Sequence, residues 1–464
     1  MKPEEPHSTP SHIIDGEVGL RKALSTAQVV MIGLGGAIGT GLFMGSGIAI
    51  GYAGPAVLVS FAIAGFVGLV MVFSLSEMAV AHPAAGSFGV YAETYLNPWA
   101  GFVVRYTYWL AQTIAVGGES VAAGLYMNFW FPNAPVWMWS IGFAFIVLYA
   151  NARSVGNFGT IEYWFAMIKV AAIVLFIILG LASILGIGLP ATGFHNLWGL
   201  PGGFAPNGFH GIWLAVIVGM FAFNGIEIVA VTSGEVADPA KAIPAALRTM
   251  IFRLFLFYVA ALAIVVTFIP WTESGAKVVE QSPFVRVFAS VGVPYAAGIM
   301  NFVVLSAALS SMNTNLYTCS RMLFSLSRGG YAPKFLGRLG RRSTPIGALV
   351  ISGACILATA SLSKLAPNAY GLLIGVSLFG SIIVWIIILV SHLSFRRSHD
   401  VTDLAVRMPW FPGLQAAGIA LLIAVLVTMG LDDDWSISWK CGIPWLTLLS
   451  AVYFIRRAAR RRGA

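Results

Sequence analysis

The sequence predicts an all-α integral membrane protein with twelve transmembrane helices, built as two inverted five-helix repeats plus two extra helices. The composition is the first observation: 58% of the residues are hydrophobic and 10% are charged, whereas a soluble domain carries roughly a quarter charged residues. The second is the recurrence of apolar runs of about 20 residues, the length that a spanning helix needs. The third is a pair of interrupted runs that lie five spans apart.

The apolar runs divide the whole chain into candidate spans. They are residues 26–50, 54–80, 102–131, 136–150, 158–187, 209–236, 249–270, 292–326, 346–363, 369–392, 412–430 and 442–455. The predicted organisation is a cytoplasmic N-terminal segment (1–25), repeat 1 (26–187), repeat 2 (209–392), the last two helices (412–455) and a basic cytoplasmic tail (456–464). Most links are short, so no separate soluble domain is expected, and membrane lipid surrounds the helices.

The distribution of lysine and arginine between the loops predicts the orientation. Cytoplasmic loops are enriched in these residues, and placing the N-terminus in the cytoplasm puts most of them inside. The loop cations that fall outside are Lys277, Arg286, Lys364 and Lys440. We therefore expect a multi-pass protein of the cell inner (cytoplasmic) membrane with both termini in the cytoplasm.

Several other classes of protein are disfavoured. The net charge of +9 resides in short loops, so it reflects membrane topology and no nucleic-acid partner is expected. The three cysteines show no metal-ligand spacing, and the seven histidines fall in loops or at span ends. An intramembrane enzyme would need such groups clustered at depth. We expect no metal, no cofactor and no catalytic residues.

The first span carries an unusual density of glycine. Five glycines stand between Gly33 and Gly41, at the expected mid-membrane depth. Small residues let helices pack closely, but packing needs only one in every four positions. Each interior glycine also costs a helix about 0.5–1 kcal/mol relative to alanine. The density therefore favours a broken helix whose backbone lines a cavity.

The sixth span offers a counterpart in the run Gly219–Glu227, where an amide and an acid flank Gly225. Interrupted helices at corresponding places in two halves are the best sequence indication of a transporter site. Because each repeat holds an odd number of spans, the second copy must be inverted.

Two broken helices predict a site for a zwitterion. A half-helix that begins in mid-membrane presents free N–H groups and a positive dipole end, which suit a carboxylate. A half-helix that ends there presents free carbonyls, which suit an ammonium group. A channel would instead show a filter loop or rings of like charge, so the pattern favours a carrier.

The ordered motifs resemble the amino acid–polyamine–organocation (APC) superfamily, in particular its bacterial and fungal amino-acid transporter (AAT) branch. They are Gly36–Phe43, Ala53-Gly54-Pro55, Glu77-Met78-Ala79, Pro83 with Gly86-Ser87-Phe88, Tyr91-Ala92, Trp164–Val170, Ile226-Glu227, Gly234-Glu235, Asp238-Pro239 and Ser310–Asn313. The resemblance covers roughly residues 18–460. It implies the LeuT-type fold and a secondary active transporter that imports amino acids.

The resemblance also implies substrate-binding residues in both interruptions. In the first interruption Ala37, Thr40 and Gly41 would meet the substrate carboxylate, together with their neighbours Ile38 and Gly39. In the second, Phe221, Ala222 and Asn224 would offer carbonyls to the amino group, and Phe221 would also gate the site. Asn224 is a modest departure from the family and would face the substrate side chain or a neighbouring helix. Phe223 would add an aromatic wall.

Lys169 lies about 18 Å into the fifth span at 1.5 Å per residue. It would either extend back to the surface or remain buried, where the charged form of a lysine is disfavoured. In resembling transporters a lysine on this helix takes the place of a sodium ion, with Ser310 and Ser311 as expected partners here. The prediction is that Lys169 couples transport to the proton gradient, which would be the energy source.

Glu119 is the acid expected at mid-span near the site, either as a structural acid or as a group facing the cavity. For Glu227, which follows the interruption in the sixth span, we expect a role at a helix end. An amino-acid exchanger of the same fold is the alternative to proton symport. The sequence does not select a substrate side chain, because an acid and aromatic walls together suit basic, aromatic and neutral substrates. It does not select an oligomeric state either.

Overall fold

The computed structural model describes residues 22, 24–84, 86–152, 155–187, 193–273, 282–290, 295–340, 343–366, 368–399 and 404–462. Most of these residues are helical. The described part of the chain contains no β-strand beyond one isolated bridge between Leu24 and Val236. The predicted all-α class is confirmed. Residues 1–21 of the predicted N-terminal segment, together with Lys277, Arg341 and Arg342, lie outside the described residues.

Eighteen α-helices are present in the described residues. They are α1 Thr26–Ala37, α2 Ser46–Ala53, α3 Val57–Ala81, α4 Ser87–Tyr95, α5 Pro98–Met127, α6 Val136–Asn151, α7 Val155–Ile184, α8 His195–Trp198, α9 Gly208–Ala222, α10 Ile228–Val231, α11 Pro239–Phe255, α12 Ala261–Phe268, α13 Pro283–Ser290, α14 Ala296–Arg328, α15 Ile346–Ala360, α16 Ala369–Ser398, α17 Gly413–Leu431 and α18 Ile437–Arg462. Single π-helical turns, Gly41–Gly45 and Leu256–Ala260, lie between α1 and α2 and between α11 and α12.

Local sequence signals set where several helices begin. Ser25 accepts a hydrogen bond from the N–H of Gln28, whose side chain accepts from the N–H of Ser25, so α1 starts with a capping box. Asn97 caps α5 through Ala100, and Pro98 takes the first position, where its missing N–H costs nothing. Gly54 has φ +60° and ends α2, so the chain turns there into α3.

Long apolar helices dominate the chain, as expected for a multi-pass membrane protein. Six helical stretches of the described residues are long and apolar enough to cross a membrane: Thr26–Ala81, Gly159–Ile184, Ala296–Arg328, Ile346–Lys364, Ala369–Ser398 and Gly413–Leu431. Three shorter apolar helices are Val136–Asn151, Gly208–Ala222 and Phe257–Phe268. Each of the twelve predicted spans contains helix. The number of crossings, the inverted relation of the repeats and the LeuT-type fold remain predictions.

Some boundaries differ from those predicted. The helix of the seventh span begins at Pro239, well before residue 249, because Asp238 and Pro239 form a favourable start. Its first turns are amphipathic, so the apolar run alone could not reveal them. The last helix continues through the basic tail to Arg462.

Helix α5 lies at the centre of the packing and contacts α4, α6, α14, α15 and α16. Helix α1 packs against α7, α11 and α14, while α9 packs against α2 and α3. The two helices that the sequence predicted to be broken, α1 and α9, therefore both lie inside the bundle, where their free backbone groups meet protein rather than lipid.

Candidate functional site

The first helix is interrupted as predicted. Helix α1 ends at Ala37, and Ile38 has φ −91° and ψ 87°, which is not helical. Helical structure resumes with the π-turn at Gly41 and continues into α2. The first N–H groups of a helix have no partner within it, so this second segment opens with free donors in the protein interior.

Side chains from three other helices bind the carbonyls of the first interruption. The Lys169 ammonium group donates to Gly35 O at 2.6 Å and to Ile38 O at 3.0 Å. The Tyr258 hydroxyl donates to Ala37 O at 2.6 Å, and the Tyr370 hydroxyl donates to Thr40 O at 3.1 Å. The unwound carbonyls thus have donors, as buried backbone groups require.

The second interruption follows α9 and is stabilised mainly by an acid within it. Gly225 has φ +102°, a conformation that other residues rarely adopt. The Glu227 carboxylate accepts from the Gly225 N–H at 3.1 Å and from the Tyr108 hydroxyl at 3.0 Å. Glu227 is fully buried, and it takes the helix-end position that the sequence favoured.

The two interruptions touch each other through backbone. A Cβ at Gly41 would lie 2.6 Å from the Cα of Ala222, and one at Gly225 would lie 2.6 Å from Gly36 O. Tyr258 joins them, because its hydroxyl reaches Ala222 O at 2.7 Å as well as Ala37 O. A hydroxyl has one hydrogen, so the two carbonyls share that donor. Glycine is required at both contacts.

A small cavity lies between the two interruptions. It is lined by Gly36, Ala37, Gly39, Gly41, Ala115, Glu119, Phe221, Ala222, Asn224, Ser311 and Asn315. Its volume of about 10 Å³ gives room for roughly one water molecule. An amino acid is much larger, so the walls must separate before one can bind.

Not all of the predicted binding residues line this cavity. Ala37, Gly39, Gly41, Phe221, Ala222, Asn224 and Glu119 do, whereas Ile38, Thr40 and Phe223 do not. Phe223 instead stacks on Tyr258 with ring centroids 4.6 Å apart and faces Gly65 and Gly68 of α3. Phe223 therefore lies outside this cavity, because residues that leave a helix lose its regular facing, and its role as a wall of the binding site stays a prediction. Thr40 is buried, and its hydroxyl has no hydrogen-bond partner within the described residues.

Ser310 and Ser311 serve two different charged groups. Lys169, fully buried on α7, donates to Ser310 Oγ at 2.7 Å, and Ser310 in turn donates to Glu162. Ser311 donates to Glu119, which Asn315 also approaches at 3.4 Å. The structure thus brings Ser310 to Lys169, as expected, and directs Ser311 to Glu119.

Glu162 is the group that sequence reasoning missed. It is fully buried on α7 and also accepts from Asn313 at 3.2 Å. The expectation that Glu119 is the acid near the site is therefore incomplete. A usable signal was present: Glu162 precedes Lys169 by seven residues, two helical turns, which places both on one face. Its position near the predicted start of a span concealed it.

Asn224 contacts both the cavity and the neighbouring helix α5. Its side-chain oxygen accepts a hydrogen bond from Gln112 Nε2 at 3.1 Å. The Gln112 amide also donates to the Glu227 carboxylate at 3.4 Å. Asn224 is 9% exposed. Both alternatives left open by the sequence are thus represented, since the side chain lines the cavity while its oxygen is held by α5.

Comparison with known proteins identifies the family. The family model for amino acid permeases matches residues 28–462. The chain belongs to the amino acid permease family. This permease is 39% identical over 452 residues to the uncharacterized amino acid permease YtnA of Bacillus subtilis, covering 96% of this chain and 97% of the relative. It is 37% identical to the γ-aminobutyric acid permease of the same organism, covering 96% of each chain. It is 36% identical to the aromatic amino acid transport protein AroP of Escherichia coli, covering 94% of this chain and 96% of the relative.

The family membership and the apolar helices make this permease a multi-pass membrane protein of amino-acid transport. Its described residues contain no group of three or more histidine, cysteine or acidic side chains arranged to hold a metal ion. The site brings together two helix ends and four buried ionisable side chains: Lys169, Glu162, Glu119 and Glu227.

Proposed function

We propose that the protein imports L-amino acids across the cytoplasmic membrane by alternating access, with symport of protons and without a cofactor. The observation that carries this proposal is the meeting of two helix interruptions around one cavity, beside a buried lysine that binds the first of them. Both termini would lie in the cytoplasm, as the distribution of lysine and arginine predicts.

The helix ends are suited to the backbone of an amino acid. Free N–H groups at the start of the segment after Ile38 would bind the carboxylate. The Thr40 hydroxyl, which has no partner among the described residues, lies close by. Carbonyls at the end of α9 would accept from the ammonium group. Each charge of the zwitterion is then paired, which offsets the cost of removing it from water.

The walls around Asn224 and Glu119 would meet the substrate side chain, because both residues line the cavity. Relatives are named for γ-aminobutyric acid and for aromatic amino acids. A backbone-based site explains how such different side chains are served by one family: the helix ends bind what the substrates share. Phe221, which lines the cavity, would move aside to admit them.

Proton coupling is proposed to depend on the path Lys169–Ser310–Glu162. A buried cation whose neighbours are carbonyls and a hydroxyl is costly to keep charged. Losing its proton would weaken its hold on Gly35 O and Ile38 O, and so loosen the first interruption. Protonation and the geometry of the carboxylate-binding loop are then linked, which is what symport requires.

The test is uptake into proteoliposomes with and without an imposed inward proton gradient, and with and without internal amino acid. Thermal-shift competition against the twenty amino acids and γ-aminobutyric acid first identifies the substrate, since a ligand at about 100 times its Kd stabilises by about 2.7 kcal/mol. A symporter accumulates substrate in empty vesicles when the gradient is applied. Uptake that requires internal amino acid and ignores the gradient would instead identify an exchanger.

Lys169→Ala is expected to abolish accumulation driven by the pH gradient. Lys440→Ala is the matched control, because Lys440 is exposed and its ammonium group donates to Ser436 of the same helix end, at 3.2 Å. Wild-type accumulation by Lys169→Ala would refute the coupling role.

Glu119→Gln is expected to alter apparent affinity or its pH dependence, and unchanged kinetics would reduce Glu119 to a structural acid.

A further inference from the structure

A groove lined by arginines lies where the first turns of α5 meet the last turns of α18. Its walls are Pro98, Phe102, Tyr331, Tyr453, Arg456, Arg457, Arg460 and Arg461, and we call it the arginine groove. Its volume is about 370 Å³, within the range of ligand-binding clefts. The proposed transport cycle uses none of these residues.

The four arginines divide into two pairs. Arg456 donates to Gly330 O at 3.1 Å and also reaches Tyr331 O, while Arg460 donates to Gly330 O at 3.0 Å. These contacts fix α18 to the turn that follows α14. Arg457 and Arg461 are exposed, and within the described part of the chain neither pairs with an acid. Four positive charges therefore gather without a carboxylate among the groove's walls.

The other walls are aromatic and lead towards the apolar part of the bundle. The Phe102 ring lies 5.5 Å from Tyr453 and 5.6 Å from Tyr331, measured between centroids. Directly before the arginines, Phe454 and Ile455 are 54% and 67% exposed. Large apolar side chains that remain exposed on a helix of a membrane protein face lipid, so the groove opens where acyl chains end and headgroups begin.

We propose that the arginine groove binds the phosphate headgroup of an anionic phospholipid. Guanidinium groups bind phosphate with two parallel hydrogen bonds, and no hydrogen bond within the described residues occupies the donors of Arg457 and Arg461. Basic pockets between helices at the membrane surface bind acidic headgroups, and the aromatic wall supports the start of the acyl chains. The bound lipid would hold α18 against α5 and the turn at Gly330.

The experiment measures binding of phosphatidylglycerol to the full-length protein in neutral detergent, by native mass spectrometry and by the midpoint of thermal unfolding. Arg457→Ala/Arg461→Ala is compared with Arg397→Ala/Arg407→Ala, which removes two exposed arginines elsewhere. Each arginine near a membrane surface contributes about 1 kcal/mol to binding of acidic lipid, so the groove variant should bind about 30-fold more weakly. The control variant should bind as wild type does.

Two further ligands test the chemical class. Phosphatidylcholine should bind weakly and equally to wild type and both variants, because its headgroup has no net charge. Inorganic phosphate should not raise the unfolding midpoint at the concentrations at which phosphatidylglycerol does. The proposal is overturned if both double variants lose phosphatidylglycerol equally, which means non-specific attraction. It is equally overturned if phosphate alone reproduces the stabilisation, which means a soluble-anion site.

Discussion

Both helix interruptions leave backbone groups without helical partners inside the protein, and those groups are bound in different ways. The first, between Ala37 and Gly41, exposes carbonyls that receive donors from distant helices, including the cation Lys169. The second, around Gly225, is stabilised by the carboxylate of Glu227, which is part of the same segment. The first therefore depends on a distant cation that can lose its charge and move, while the second depends on an acid of its own segment that Tyr108 of α5 holds in place. We expect the first to move during transport and the second to act as its support.

The largest expected effect comes from filling the contact between the interruptions. Gly41→Ala would place a Cβ 2.6 Å from the Ala222 backbone, which cannot yield as a flexible side chain would. Displacement of site groups by about 1 Å reduces rates about 100-fold, so uptake in proteoliposomes should fall by about that factor. Gly142→Ala is the control, because a Cβ there meets nothing within 4 Å. Near-normal uptake by Gly41→Ala would mean that the interruptions do not need to touch.

Tyr258→Phe tests the bridge between the interruptions. Removing the hydroxyl leaves Ala37 O and Ala222 O without their donor, and unsatisfied buried groups cost about 1–3 kcal/mol each. The midpoint of thermal unfolding should fall clearly. Tyr106→Phe is the control, since its hydroxyl makes one longer contact of 3.3 Å to Tyr331 O. Equal effects from the two substitutions would contradict a special role for Tyr258.

The substitution Glu227→Gln tests whether Glu227 only stabilises the second interruption or also takes part in proton coupling. The amide retains one acceptor but loses the second, so the Gly225 N–H or the Tyr108 hydroxyl loses a partner. Stability should fall by about 1–3 kcal/mol, while the remaining folded protein should still accumulate substrate under a proton gradient. Loss of gradient-driven accumulation with normal exchange would place Glu227 in the coupling path and remove the contrast with Lys169.

The smallest effect is expected outside both interruptions, at the pair His82–His399. Their Nε2 atoms lie 3.4 Å apart just beyond α3 and α16. Burial and the charge of His399 lower the pKa of His82 from its usual value. The unfolded chain therefore takes up this proton more readily than the folded one, and stability falls as the pH drops through about 6.5. The unfolding midpoint should fall less between pH 7.5 and pH 5.5 in His82→Gln than in wild type. If His82→Gln shows the same pH dependence of the unfolding midpoint as wild type, protonation of this pair does not contribute to the pH dependence of stability.

The sequence by itself determined the helical class, the position of both interruptions and most of the residues that line the cavity. It could do so because lipid demands long apolar runs, and because glycine at such density conflicts with an intact helix. The early start of α11 was not predicted, since an amphipathic turn at a helix start carries no strong apolar signal.

Only the tertiary structure decided which side chains meet at the interruptions. It placed Phe223 against Tyr258 instead of the cavity, directed the neighbouring Ser310 and Ser311 to two different acids, and brought Glu162 into the path to Lys169. The reason is that an unwound segment has no periodicity from which facing can be derived, and its backbone partners come from helices more than a hundred residues away.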